Sequence, residues 1–113
     1  MDADAFRDLA LALPETAQSG HRGAVDFRVC GKIFAQPAAE SGGSALVKLT
    51  REQQEMMCAA EPTLFVPEPG YWGSVGWTRF AVDAAHVAAA QHALLIAWRN
   101  VAPKALSRVK PKM

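Results

Sequence analysis

The sequence predicts an α+β fold: one compact domain in which an antiparallel sheet carries helices packed on one face. The length of 113 residues suits a single domain with its own core. Half of the residues are hydrophobic and a fifth are charged, as in ordinary globular proteins. The hydrophobic period changes along the chain in the order helix, strands, helix, strand, helix, which favours α+β over a regular β-α alternation. We therefore assign residues 1–113 to one domain, ending in a basic C-terminal arm (103–113) whose order the sequence leaves open.

The first helix is predicted to end before Pro14, where the helical pattern stops. Asp2 or Asp4 is a suitable N-cap because its carboxylate can accept from a free backbone amide of the first turn. The apolar residues of this helix recur at helical spacing: Phe6, Leu9 and Leu13.

Three strands are predicted next. Apolar and polar residues alternate over residues 25–30, which is typical of a half-buried strand. Gly31 marks a turn into a return strand over residues 32–36. An exposed loop rich in Ala, Ser and Gly follows at residues 37–44, and a third strand is expected at residues 45–49.

Thr50 and Gln53 form a capping-box pattern, which predicts a second helix that runs to about Ala60. Prolines and glycines are frequent over residues 62–76, so we expect a long irregular loop there. A further strand is predicted at residues 77–82.

The last helix is the most strongly predicted one. Asp83 is its expected N-cap, and Pro103 ends it. Its apolar residues keep helical spacing, and among them Leu94 and Trp98 are expected to be buried against the sheet.

The basic residues are unevenly distributed although the formal net charge is only +1. The chain from residue 99 onward contains five basic residues and no acidic one, whereas the remaining 98 residues carry seven basic and all 11 acidic residues. Such an arm is typical either of a solvated terminus or of a contact with a polyanion.

The sequence contains no pattern typical of a catalytic, cofactor or metal site. His86 and His92 are six residues apart on one helix and so face different directions, and Cys30 and Cys58 do not form a C-x-x-C pair. The glycines match no phosphate-binding loop. We therefore expect a protein that is not an enzyme and has neither cofactor nor bound metal.

The N-terminal residues and the hydropathy favour a cytoplasmic protein that makes no membrane contact. Asp2 and Asp4 stand where a signal peptide needs positive charge. No apolar run reaches the length of a membrane span.

Two surfaces are candidates for binding. Tyr71 and Trp72 lie in the proline- and glycine-rich loop at residues 62–76 and can present flat aromatic rings to a partner. Trp77 begins a strand and is expected in the core.

Arg28, next to Asp26 on the same strand face, is expected in a salt bridge with it. The cations of the predicted strands would form a basic surface if they share one face of the sheet: Arg28, Lys32, Lys48 and Arg79.

Residues 26–35, DFRVCGKIFA, resemble the "DF-x-V-x-GK-x-FA" core of the MmcQ/YjbR-like family of small bacterial proteins. Further pieces occur in the family's order: Leu13-Pro14-Glu15, Val47-Lys48-Leu49-Thr50, Gly76-Trp77, Val82-Asp83 and Ala102-Pro103-Lys104. The resemblance spans nearly the whole chain. It implies a compact α+β fold of the CyaY-like, or double-wing, type and a DNA-binding role, and it brings no catalytic residues.

Our leading hypothesis from the sequence is non-enzymatic, weak and largely electrostatic binding of double-stranded DNA. The residues expected to contact phosphates are Lys32, Lys48 and Arg79 on the sheet, extended by Arg99, Lys104 and Arg108. The alternative is a protein-interaction or small-ligand-binding domain that uses the loop of Tyr71 and Trp72. One continuous positive face would favour DNA, and an apolar cleft beside Trp72 would favour a ligand or an unidentified protein partner.

Overall fold

The computed structural model describes residues 1–21, 24–37 and 44–107. In this part of the chain, six strands and five helices are present, with one turn of 3₁₀ helix before the fourth helix. The strands are β1 (Thr16–His21), β2 (Ala24–Val29), β3 (Lys32–Gln36), β4 (Ser44–Lys48), β5 (Phe65–Pro67) and β6 (Trp77–Ala81). The helices are α1 (Ala3–Leu11), α2 (Arg51–Ala60), α3 (Tyr71–Ser74), α4 (Val87–Val101) and α5 (Lys104–Ser107), and the 3₁₀ turn is Val82–Ala84.

All six strands form one antiparallel sheet in the order β1-β2-β3-β4-β6-β5. Successive residues of a strand point to opposite faces, so the sheet has an inner and an outer face. The inner face is buried against α1 and α4, with α2 at its β5 end. This arrangement confirms the predicted α+β fold class.

Large apolar side chains of the inner face and of the helices make up the core. Leu94 and Trp98 of α4 are fully buried, as predicted. The sheet contributes aromatic and branched side chains that are also fully buried: Phe27, Val29, Phe34, Val47 and Phe80. Phe6 of α1 packs against Phe27 and Phe80, with ring centroids 6.4 and 6.0 Å apart.

The caps of the first two helices agree with the sequence. The Asp2 side chain accepts from the Ala5 amide at 2.8 Å, and Thr50 with Gln53 forms the predicted capping box.

The prediction for α4 is wrong at its start. Asp83 lies within the 3₁₀ turn, and α4 begins only at Val87, because the chain first turns away from β6.

Three elements occur where the sequence did not predict them. β1 carries small and polar residues with little strand propensity, and its pairing with β2 along all six residues determines its conformation. The stretch 62–76, expected to be irregular, contains β5 and α3. β5 is an edge strand, where a proline such as Pro67 is readily accommodated.

The outer face of the sheet carries a mixed set of side chains. Cross-strand pairs place Arg28 beside Ile33, Gln36 beside Leu46, and Lys48 beside Trp77. Leu46 is also paired with Arg79. In the part of the chain that the structure describes, no helix is long and apolar enough to cross a membrane.

Candidate binding site on the outer sheet face

A cleft of about 360 Å³ opens on the outer face of the sheet. Side chains of β3 and β4 form its floor: Ile33, Gln36 and Leu46. Its walls come from the segment before α3, from α3 itself and from the start of β6: Glu68, Pro69, Trp72 and Trp77. The volume lies within the range of small-molecule sites, and the lining is largely apolar with a few polar groups.

The short helix α3 presents two exposed aromatic rings, of which Trp72 borders this cleft and Tyr71 lies beside Trp72. Tyr71 is 70% exposed and Trp72 is 60% exposed, although both are large aromatic residues. Their ring centroids are 5.5 Å apart in an edge-to-face arrangement. The chain can turn into α3 because Gly70 adopts a φ of 75°, which is accessible to glycine at little cost. Exposed aromatic rings at the rim of an apolar cleft are typical of a contact surface.

Trp77 lies on the outer face, half-buried in the wall of the cleft, so its expected place in the core was wrong. It is the first residue of β6 and points outward, whereas the next residue, Thr78, takes the inward position and is fully buried. The Thr78 hydroxyl donates to the Gly76 carbonyl at 3.0 Å, which satisfies this buried polar group. Lys48 Nζ lies 5.7 Å from the centroid of the Trp77 ring.

Among the described residues, three cations lie on the outer face, and each has a local partner. Arg28 donates to Asp26 at 2.9 Å, as predicted, and this hydrogen bond with the carboxylate raises the pKa of Arg28. Arg79 donates to Glu68 at 2.9 Å. Lys48 Nζ donates to a backbone carbonyl, that of Val75, and partial burial lowers the pKa of Lys48. The outer face therefore carries ion pairs and one anchored ammonium rather than a row of solvated cations.

The six residues expected to contact DNA are divided between different parts of the fold. Lys48 and Arg79 share the outer face. Lys32 is opposite the buried Val29 in the β2–β3 hairpin, so it points to the inner side of the sheet, where it is exposed at the hairpin end. Arg99 and Lys104 are exposed on α4 and α5, in the helix layer, and Arg108 lies outside the described residues.

The other chemically notable side chains do not form a cluster. Among the described residues, no group of three or more His, Cys, Asp or Glu side chains could hold a metal ion. Cys30 is exposed in the turn between β2 and β3, and Cys58 is half-buried in α2, where burial raises its thiol pKa. His86 and His92 are both exposed.

Sequence reasoning identified Trp72 but missed most of the cleft. The sequence of β4 contains one signal of the cleft. Leu46 lies between Ala45 and Val47, which point inward, so its large apolar side chain lies on the outer face, where polar residues are expected. Ile33 gives the same signal in β3. Glu68 and Pro69 had no such signal, because their place depends on how the chain between β5 and β6 folds back over the sheet.

Comparison with known proteins adds one finding. The YjbR family model matches residues 11–100, which include every strand of the sheet and all the residues that line the cleft. No curated protein matches the chain, and no solved structure does.

Proposed function

The chain belongs to the YjbR family, and we propose that it acts as a non-enzymatic binding module whose outer-face cleft takes a flat, apolar group of a small ligand or of a protein partner. The observation that carries this proposal is the cleft of about 360 Å³ bordered by the 60%-exposed Trp72. A ring inserted beside Trp72 would exchange water for aromatic and aliphatic contacts on several sides.

The polar groups of the cleft suit an uncharged occupant with a few hydrogen-bonding atoms. Gln36 supplies an amide that can both donate and accept, and Glu68 supplies carboxylate oxygens. Glu68 is already neutralised by Arg79, so the cleft offers neither a strong positive nor a strong negative field. Apolar contact would therefore provide most of the affinity, and the two polar groups would orient the occupant.

A titration with small ring compounds tests this proposal. Indole and adenosine serve as probes, and the three tryptophan indole N–H signals in a ¹⁵N–¹H correlation spectrum serve as reporters. We expect the signals of Trp72 and Trp77 to shift with the probe, while that of the fully buried Trp98 stays unchanged and serves as an internal reference. Trp72→Ala should weaken binding, judged from the Trp77 signal, by about tenfold, the loss of one stacking contact.

The matched control is Val87→Ala, which truncates another apolar residue of similar exposure, 51%, at the start of α4 and away from the cleft. It should bind the probes as the unaltered protein does. Binding that is equally strong in the Trp72→Ala variant, or no binding of either probe to the unaltered protein, would rule out the cleft as a site for ring-bearing groups.

Weak electrostatic binding of duplex DNA is a second candidate, supported by the acid-free stretch from Arg99 to the end of the chain. Arg99 and Lys104 belong to the helix layer, so this contact would use a different surface from the cleft. A titration with labelled duplex at two salt concentrations, with an uncharged polymer as control, tests it. Arg99→Gln should lower both the affinity and its salt dependence, and Trp72→Ala should change neither.

A further inference from the structure

Three side chains from one short stretch of sequence bind three consecutive backbone carbonyls at the end of α3. Their donor groups come from the end of β4 and the first turns of α2, at positions three residues apart. The contacts are Lys48 Nζ to the Val75 carbonyl, Arg51 Nη1 to the Ser74 carbonyl at 2.9 Å, and Gln54 Nε2 to the Gly73 carbonyl at 3.1 Å.

Two of these carbonyls, those of Ser74 and Val75, depend on side-chain donors, whereas the Gly73 carbonyl also accepts from the Gly76 amide at 3.1 Å. The last carbonyls of any helix lack intrahelical partners, and α3 is only four residues long. Cationic donors are favourable at this end because the backbone carbonyls point toward them. Lys48 and Arg51 thus supply hydrogen-bond donors to the Val75 and Ser74 carbonyls, and Gln54 adds a second donor to the Gly73 carbonyl.

Gln54 is the buried member of the set, with only 3% of its surface exposed. Its Nε2 atom also lies 3.1 Å from the Trp77 carbonyl and 3.1 Å from Thr78 Oγ1, so it joins α3 to the start of β6. Gly73 permits this close packing, since a Cβ atom there would lie 1.7 Å from the Glu68 carbonyl oxygen. The segment is fixed to the sheet on both sides.

We infer that Lys48, Arg51 and Gln54 are positioning residues, which hold α3 so that Trp72 stands at the rim of the cleft before any ligand arrives. The ligand part of this inference rests on the proposed function. A rim that is already ordered loses little conformational entropy on binding, so a given set of contacts gives a higher affinity. Lys48 then acts through Val75 and the Trp77 ring rather than by contacting a phosphate.

Amide hydrogen exchange at the end of α3 tests the positioning role without any ligand. The amides of Ser74, Val75 and Gly76 donate to carbonyls within the segment, so their exchange reports its opening. We expect Arg51→Ala to speed this exchange by about fivefold, the loss of one ordinary hydrogen bond, and Gln54→Met to speed it by at least as much, because the buried Gln54 amide has three partners. The Arg51 side chain is 55% exposed, so its variants keep the fold even if Gln54→Met is strongly destabilised.

Two variants serve as controls for Arg51→Ala. Arg51→Lys keeps a cationic donor and should restore slow exchange, whereas Glu52→Gln changes an exposed neighbour in the same helical turn and should have no effect. Exchange of the three amides within twofold of the unaltered protein in both Arg51→Ala and Gln54→Met would overturn the inference.

The same variants then separate this inference from the proposed function. If the unaltered protein binds indole, its affinity should fall about fivefold in Arg51→Ala and recover in Arg51→Lys. Faster exchange with unchanged indole affinity would overturn the positioning role. If the unaltered protein binds neither indole nor adenosine, the proposed function fails, and the exchange rates alone decide whether these residues hold the segment.

Discussion

The indole N–H of Trp98 donates to the carbonyl oxygen of Pro14 at 3.0 Å, across 84 residues of sequence. Pro14 follows the first helix, and Trp98 lies near the end of the longest one, so this bond joins the two helices that pack on the inner face. Trp98 is fully buried, so its indole N–H depends on the Pro14 carbonyl as acceptor, and the Thr16 hydroxyl donates to the same carbonyl at 3.4 Å.

Replacing Trp98 with Phe should lower the free energy of unfolding by about 2 to 3 kcal/mol. The smaller ring leaves a cavity, and the indole hydrogen bond to the Pro14 carbonyl is lost. Urea denaturation followed by circular dichroism measures this. The control Trp72→Phe alters an exposed tryptophan and should change the free energy by less than about 0.5 kcal/mol. Equal midpoints for the two variants would contradict the role given to the Trp98 contact.

Replacing Gly73 with Ala should destabilise the segment that carries the aromatic rings, because the added methyl group would overlap the Glu68 carbonyl. We expect a loss of about 1 to 3 kcal/mol, typical of overpacking, together with a shifted Trp72 indole signal. Gly70→Ala is the comparison for backbone strain alone, since the space around Gly70 is open but its φ of 75° and ψ of −150° are accessible mainly to glycine. An unchanged free energy of unfolding and an unshifted Trp72 signal in Gly73→Ala would show that the close contact is not limiting.

Lys48 should give the protein a distinctive alkaline response. Burial lowers its pKa in the folded state from the ordinary value of 10.5, so the unfolded chain binds this proton more tightly than the folded one. The contribution of Lys48 to the free energy of unfolding is therefore smallest at pH values below its folded pKa. It increases as the pH rises through the folded pKa to 10.5 and above. Urea denaturation at several pH values from 8 to about 11 should show the unaltered protein gaining stability relative to Lys48→Met over the alkaline part of this series. A constant difference between the two proteins would mean that the Lys48 ammonium is as well solvated when folded as when unfolded.

The sequence predicted those elements whose own residues determine them. The capping box of Thr50 and Gln53, the buried stripe of α4 and the alternation in β2 are local patterns, and each appears in the structure. β1 and β5 could not be predicted in this way, because neither has a strong pattern of its own. Each becomes a strand through hydrogen bonds to a neighbour that is already in the sheet.

The candidate site was predictable only in part, because the positions of its side chains depend on contacts between residues that are distant in sequence. The glycines and prolines around Trp72 allowed an exposed ring without requiring one, and the side on which Trp77 lies depends on the register of β6 against β4. The role of Lys48 likewise depends on Val75, 27 residues away, whose carbonyl it binds. Contacts over such distances are set by the folded chain and leave no local signature.

Two C-terminal deletions distinguish DNA binding by the basic arm from its contribution to stability. Removing residues 108–113 takes away Arg108, Lys110 and Lys112, and removing residues 105–113 also takes away Leu106, which packs against the core. If duplex DNA is bound through the arm, both deletions should lower the slope of log affinity against log salt by up to about three units. The longer deletion should cost about 1 to 2 kcal/mol more in unfolding free energy than the shorter one, because only it loses the apolar contact of Leu106.

Comparing the two deletions therefore separates lost charge from lost folding. Slopes that are equally lowered in the two deletions, together with unequal stabilities, would show that the arm contacts phosphates independently of how well its first turn packs. A salt slope that stays at the full-length value in both truncated chains would remove the arm from any DNA contact. In that case the cleft beside Trp72, on the other side of the sheet from α4, would be the surface on which to look for the natural partner.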